Sequence, residues 1–313
     1  MARRSLLLEH RGGTQRKARQ SADAPSRYPA RMNYRHAFHA GNHADVLKHL
    51  ILLVLLDALK RKDTPFFVLD THAGRGRYEL TGEAAEKTGE AQAGIVRLRQ
   101  AMKSHEISKN DALSAYLNAV SSDLDANHYP GSPQLVAREL RAADQLACCE
   151  WQPEEASALK TLFAHDVRVA VHQRDGYGAT KALLPPKEKR GLVLIDPPFE
   201  AQLAEFDTAL DALRTGLTRW PQGIFTLWYP IKQRRTLAKF LRDAVVLPSK
   251  SAWIAELHIR STDSPLRMNG SGMLVLNPPW KADEAISPVL PRLAKILGEQ
   301  DANSVFQWLK QGS

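Results

Sequence analysis

The chain has 313 residues, 43% of them hydrophobic and 25% charged, with a formal net charge of +9. It is long and apolar enough for one large domain, or a domain carrying an insertion, which excludes disorder throughout. Two adjacent cysteines, Cys148 and Cys149, cannot make a disulfide framework because strand neighbours point to opposite faces, and the longest apolar run, LILLVLL at 50–56, is far too short for a bilayer.

The N-terminus has no long apolar region of the kind an export signal needs, so a reducing cytoplasm without a membrane partner is expected. Residues 1–31 carry eight Lys/Arg against Glu9 and Asp23 and so hold +6, leaving +3 for the other 282 residues. Charge alone is then weak evidence for a polyanionic partner. The segment is polar and broken by Gly12-Gly13, Pro25 and Pro29, and is expected to be a disordered basic extension, either dispensable or an arm for phosphates. Folding is expected to begin near Met32.

The next stretch, MNYRHAFHAGNHADVLKH, crowds Tyr34, Arg35, His36, His39, His43, Lys48 and His49 together. His36, His39 and His43 have a spacing compatible with metal, but no cysteine accompanies them and Gly41-Asn42 interrupts a helix, so no metal is expected. A nucleic-acid or cofactor role fits better, with Tyr and His stacking on bases and Arg and Lys meeting phosphate. A helix is expected over 44–59, ending at Lys60, Arg61 and Lys62, which suit the negative end of its dipole.

PFFVLD at 65–70 reads as a buried parallel strand feeding the glycine turn THAGRGRY. The next strand-like run, QLACCEW at 145–151, follows a long helical excursion that ends at YPGSP, 129–133, taken as a turn. From there strands at 167–175, 191–196 and 223–230 alternate with helices near 201–218 and 232–244, which means a parallel sheet covered on both faces. The runs at 252–259 and 272–279 have no helix between them and are expected to close the sheet as an antiparallel hairpin.

In such a sheet ligands bind at the carboxyl ends of the parallel strands, where Asp70 with His72, Gly74 and Gly76, then Glu150, Asp175 with Gly176, and Asp196 are expected to meet. A glycine turn after the first strand and an acid ending the second would suit a nucleoside, yet the full dinucleotide spacing is missing. The most specific motif is Asp196-Pro197-Pro198-Phe199. An aromatic amine is a poor nucleophile because its lone pair is delocalised. A carboxylate at Asp196 and the Pro197 carbonyl could each accept one of its N–H bonds, two prolines would stiffen the loop, and Phe199 could stack on an extruded base. Asn277-Pro278-Pro279-Trp280 repeats the pattern, but on the closing strand it would lie at the opposite end of the sheet, in a structural role.

Together YRHAFHAGNHADVLKH, LDTHAGRGRYEL, YPGSP, RDGYG, IDPPF, LWYP and NPPW resemble, in order and spacing, the RlmJ family, which methylates the N6 amine of one adenine in 23S ribosomal RNA with S-adenosyl-L-methionine. The resemblance covers about residues 32–280. It implies an α/β, class I Rossmann-like methyltransferase formed by 32–81 and 131–313, with 82–130 as a helical insertion subdomain, acting as a monomer on 23S rRNA. It places the cofactor against His49, His72, Ser132, Glu150, Asp175, Gly176 and Asp196, catalysis at Asp196, Pro197 and Phe199, and substrate handling at Tyr34, His36, Lys48 and Phe199. Phe199 departs from the family's commoner Tyr, and residues 1–31 have no counterpart in the pattern. A DNA adenine methyltransferase is disfavoured by the lack of a separate DNA-recognition domain, and a non-catalytic RNA-binding module by the intact DPPF motif.

Overall fold

The first helix, α1 (His43–Lys60), starts where the Asn42 side chain accepts hydrogen bonds from the Ala44 and Asp45 amides, which have no partner inside the helix. The structure, a computed structural model, describes residues 38–81, 89–103, 111–199, 202–261 and 268–312, so the basic extension, Tyr34 and His36 lie outside the described residues. Those described belong to one of two compact units, Tyr34–Ser313. Leu47, Leu50, Ile51 and Leu55 of α1 are fully buried. Each such side chain contributes about 1.5–3 kcal/mol, so α1 holds the sheet through area rather than through any single contact.

That sheet has eight strands in the order β5-β4-β1-β6-β7-β9-β8-β10. β1 (Phe66–Asp70), β4 (Gln145–Glu150), β5 (Val169–Gln173), β6 (Arg190–Ile195) and β7 (Ile224–Ile231) run parallel. β9 (Gly270–Leu276) is antiparallel to β7 and to β8 (Ala252–His258), between which it is inserted. The β8/β9 pair matches the expected hairpin, but it does not close the sheet. β10 (Asn303–Lys310) pairs antiparallel with β8 and forms the edge. Its half-exposed, mixed sequence gives it neither the buried apolar run nor the clean alternation by which a strand is read from sequence.

Alternation along the strands sorts the two helical layers. Val68, Leu192 and Leu194 share one core with α1, whereas Tyr229 meets Phe240, with ring centroids 5.1 Å apart, on α8 (Ala238–Val245) of the other layer. Phe206 of α7 (Gln202–Arg219) stacks on the same Phe240 at 4.6 Å. Cys148 and Cys149 are both free and buried.

The excursion after β1 opens with β2 (Arg77–Glu79) and ends with β3 (His128–Pro130), which pair antiparallel. YPGSP is therefore more than a turn: Tyr129 and Pro130 belong to β3, and Ser132 and Pro133 start α4 (Ser132–Glu139), where proline costs no hydrogen bond. Between them lie a π-helical turn at Gln92–Val96, α2 (Arg97–Lys103) and α3 (Ala112–Asp125), whose Ile95, Leu98, Tyr116 and Val120 join the core of α1, and α5 (Pro153–Leu162) later connects β4 to β5.

Candidate active site

β1 lies between β4 on one side and β6 on the other, so the connections leave it in opposite directions and a crevice opens at the strands' carboxyl ends. The turn after β1 needs glycine: Gly74 and Gly76 have φ of 58° and 80°. Glu150, ending β4, fixes this turn, accepting from Gly74 N at 2.9 Å through Oε2 and from Gln152 N at 2.7 Å through Oε1. Burial raises its pKa. Each oxygen has a second lone pair to offer a ligand hydroxyl.

Asp175, after β5, caps α6 (Gly176–Ala182), accepting from Tyr177 N at 3.1 Å and Gly178 N at 2.9 Å. A Cβ on Gly176 would stand 1.9 Å from Thr71 O, so only glycine lets α6 begin this close to the β1 turn. His72 sits edge-on to Tyr177 with centroids 5.0 Å apart, and burial pushes its pKa down to about 3, which keeps the imidazole neutral. His49 Nδ1 lies 2.8 Å from Tyr129 Oη, which in turn meets Tyr116 Oη at 2.9 Å. Ser132 Oγ donates to Asp70 Oδ2 at 2.6 Å. Glu150, Gly176 and Ser132 are thus each in contact with, or packed against, the end of β1 and the turn that follows it.

Asp196 follows β6 and faces α1. Lys48 bridges two carboxylates there, pairing with Asp196 and, at 2.8 Å, with Asp45 Oδ1. Burial works against the Lys48 ammonium, but Asp196 and Asp45 overcome it and raise its pKa. Asp70 is fully buried nearby. Desolvation, aided by the charge of Asp196 and opposed by the Ser132 hydrogen bond, lifts its carboxyl to about 7.

Beside Asp196 opens a cavity of about 240 Å³, walled by Pro198, Phe199, Trp228 and Pro230 on the sheet side and by His39, Asn42, Asp45, Lys48 and Glu90 on the α1 side. Phe199 has φ of 50°, a region costly for a bulky residue, and its ring packs on Phe206 at 4.9 Å and Trp228 at 5.8 Å. It forms a wall of the cavity rather than a free plate. Across from it, Glu90 takes hydrogen bonds from Asn42 Nδ2 at 2.9 Å and from His39, whose pKa this contact raises.

Asp45 and Glu90 are the site groups the sequence did not point to, whereas Asp70 was expected at the site without a role of its own. Asp70 was visible as an acid ending a strand and Asp45 as an i,i+3 partner of Lys48, but Glu90 had no local signal. Among the described residues no group of three or more His, Cys, Asp or Glu is arranged to hold a metal, and no helix is long and apolar enough to cross a membrane. Asn277 lies at the other end of the sheet: its Nδ2 donates to Pro221 O at 2.9 Å and Gly223 O at 3.0 Å, and its Oδ1 accepts from Lys250 N at 2.8 Å, all ahead of β7 and β8.

Comparison with known proteins agrees with this layout. The family model described as ribosomal RNA large subunit methyltransferase D, RlmJ, matches residues 63–310. The ribosomal RNA large subunit methyltransferases J of Escherichia coli and Haemophilus influenzae are each 38% identical to this chain, covering 89% of it and 99% of their own lengths. A crystal structure of a Legionella pneumophila protein superposes with a TM-score of 0.77 at 33% identity, covering 88% of this chain and 99% of its own. The strand order, the strand-end acids and these matches agree: the chain belongs to the RlmJ family.

Proposed function

We propose that this protein transfers a methyl group from S-adenosyl-L-methionine to the N6 amine of an adenine in 23S ribosomal RNA, with the base held in the cavity beside Asp196. The observation that carries this reading is the placement of Asp196 just after β6, lining a cavity of about 240 Å³ that Phe199 and Trp228 also wall. Family membership supports the RNA substrate.

The donor set suits the cofactor. Glu150 and Asp175 each tie down backbone amides and keep lone pairs for hydroxyl and amine donors, and in this reading neutral His72, Ser132, His49 and Gly176 complete the cofactor's surroundings. When bound, the cofactor supplies an electrophilic methyl group on a sulfonium. In this reading Asp196 and the Pro197 carbonyl accept the two N6 hydrogens, which directs the nitrogen lone pair outward. Lys48 now occupies Asp196. Because Asp45 also binds Lys48, the ammonium can yield Asp196 to the incoming base without being left unpaired in a buried place. Phe199 and Trp228 exclude water and fix the ring plane; stacking of this kind contributes about 1–3 kcal/mol per base.

The test is methyl transfer from labelled cofactor to 23S rRNA from cells lacking the enzyme, followed by nucleoside analysis for N6-methyladenosine. Asp196→Ala should lose about 10²–10³ in turnover while folding normally and binding cofactor by calorimetry. A different methylated nucleoside, or undiminished turnover in Asp196→Ala, would overturn the reading.

A further inference from the structure

The cavity that RNA would have to enter is lined by carboxylates as well as cations. Asp45, Glu90 and Asp196 line it, and of its two lysines Lys48 is committed to two of those acids. Lys232, just past the end of β7, is different: it lines the same cavity, is half-buried, and has no ion-pair partner among the described residues. Arg235, three residues on, is exposed and, among the described residues, meets only the Gln233 amide oxygen, at 3.1 Å and 3.3 Å.

The turn that carries both is anchored from below. Arg234 Nε donates at 2.9 Å to Glu256, a fully buried carboxylate that also takes the Tyr229 hydroxyl at 3.0 Å and lies 3.1 Å from His258 Nε2. Asn269 ties the same turn through its backbone N to Ile231 O at 2.8 Å and through Nδ2 to Lys232 O at 2.5 Å. The middle cation is thus used in fixing the turn, and the outer two are paired with no acid among the described residues. Phosphate oxygens would supply the negative charge that these two cations lack, next to the cavity that Lys232 lines.

We infer that the turn bearing Lys232 and Arg235 is a phosphate clamp, which seats the sugar-phosphate backbone next to the target nucleotide so that the base reaches Asp196. This rests on reading the cavity as the base pocket. Lys232 and Arg235 are then positioning residues that act on RNA affinity rather than on the methyl-transfer step.

The experiment measures binding of a 23S rRNA fragment to the full chain over a range of salt, with Lys232→Ala, Arg235→Ala, Lys232→Arg and, as a remote cation carrying the same charge change, Lys250→Ala. Each of the first two should flatten the slope of log K against log salt by about 0.7, the contribution of one single-strand phosphate contact, and raise the KM for RNA more than it lowers kcat. Cofactor affinity by calorimetry should not move, Lys232→Arg should restore the slope, and Lys250→Ala should leave it as in the parent. Unchanged slopes in both Lys232→Ala and Arg235→Ala, or an equal loss in Lys250→Ala, would overturn the clamp. A parent enzyme that binds RNA with these slopes yet forms no N6-methyladenosine would count against the proposed function and leave the clamp standing.

Discussion

Asp70 ends β1 with no solvent contact, and its carboxyl titrates near pH 7 instead of near its usual 3.8, because desolvation disfavours the charge and Asp196 adds to the effect. Between about pH 4 and pH 7 the native chain therefore keeps a proton that the unfolded chain has released. Stability falls as pH rises through that window, and the part contributed by Asp70 is on the order of a few kcal/mol. Asp70→Asn keeps an acceptor for Ser132 and cannot ionise, so relative to the parent its Tm should be higher at pH 8 than at pH 4. Parallel Tm curves for the two proteins across that range would refute the assignment. At this scale the sequence told a good deal. Asp196, Glu150 and Asp175 stand where motif chemistry put them, since each ends or follows a strand. Glu90 was illegible because its partner His39 lies 51 residues away in the sequence, beyond the reach of any local pattern.

Asn277 shows how one residue can lock three elements. It adopts φ of 52°, which asparagine tolerates better than most residues, and joins the end of β9 to the chain entering β7 and β8. Asn277→Ala loses side-chain bonds to three backbone groups and should cost about 1–3 kcal/mol, lowering Tm, while turnover per folded molecule below the transition stays at the parent's level. Loss of turnover in folded Asn277→Ala would place NPPW, rather than DPPF, at the chemistry. The paired motifs thus mark opposite ends of the sheet because their strands run in opposite directions, and the parallel-then-hairpin pattern was enough to read this. β10 was not legible, since an edge strand buries one side weakly and its residues need not alternate. β3 was hidden for another reason: a three-residue strand inside a proline turn exists only because β2 is there to pair with it.

Over the whole molecule, charge is unevenly placed: residues 1–31 hold +6 of the net +9. The relatives align over 99% of their own lengths but only 89% of this chain. A chain beginning at Met32 should therefore melt at the parent's Tm and methylate rRNA at low salt with the parent's kcat. Abolished activity with intact cofactor binding would identify the extension as a phosphate-gripping arm, since such contacts weaken steeply as salt rises. The pairing of Lys48 with Asp196 also bears on the making of the protein. These residues stand 148 positions apart, so α1 emerges from the ribosome long before β6 does. At typical synthesis rates the interval is on the order of 10 s, during which Lys48 has Asp45 but no Asp196. A nascent chain thus carries the α1 residues while the pocket does not yet exist. The pocket proposed for the ribosomal base is therefore completed only after most of the chain has been translated.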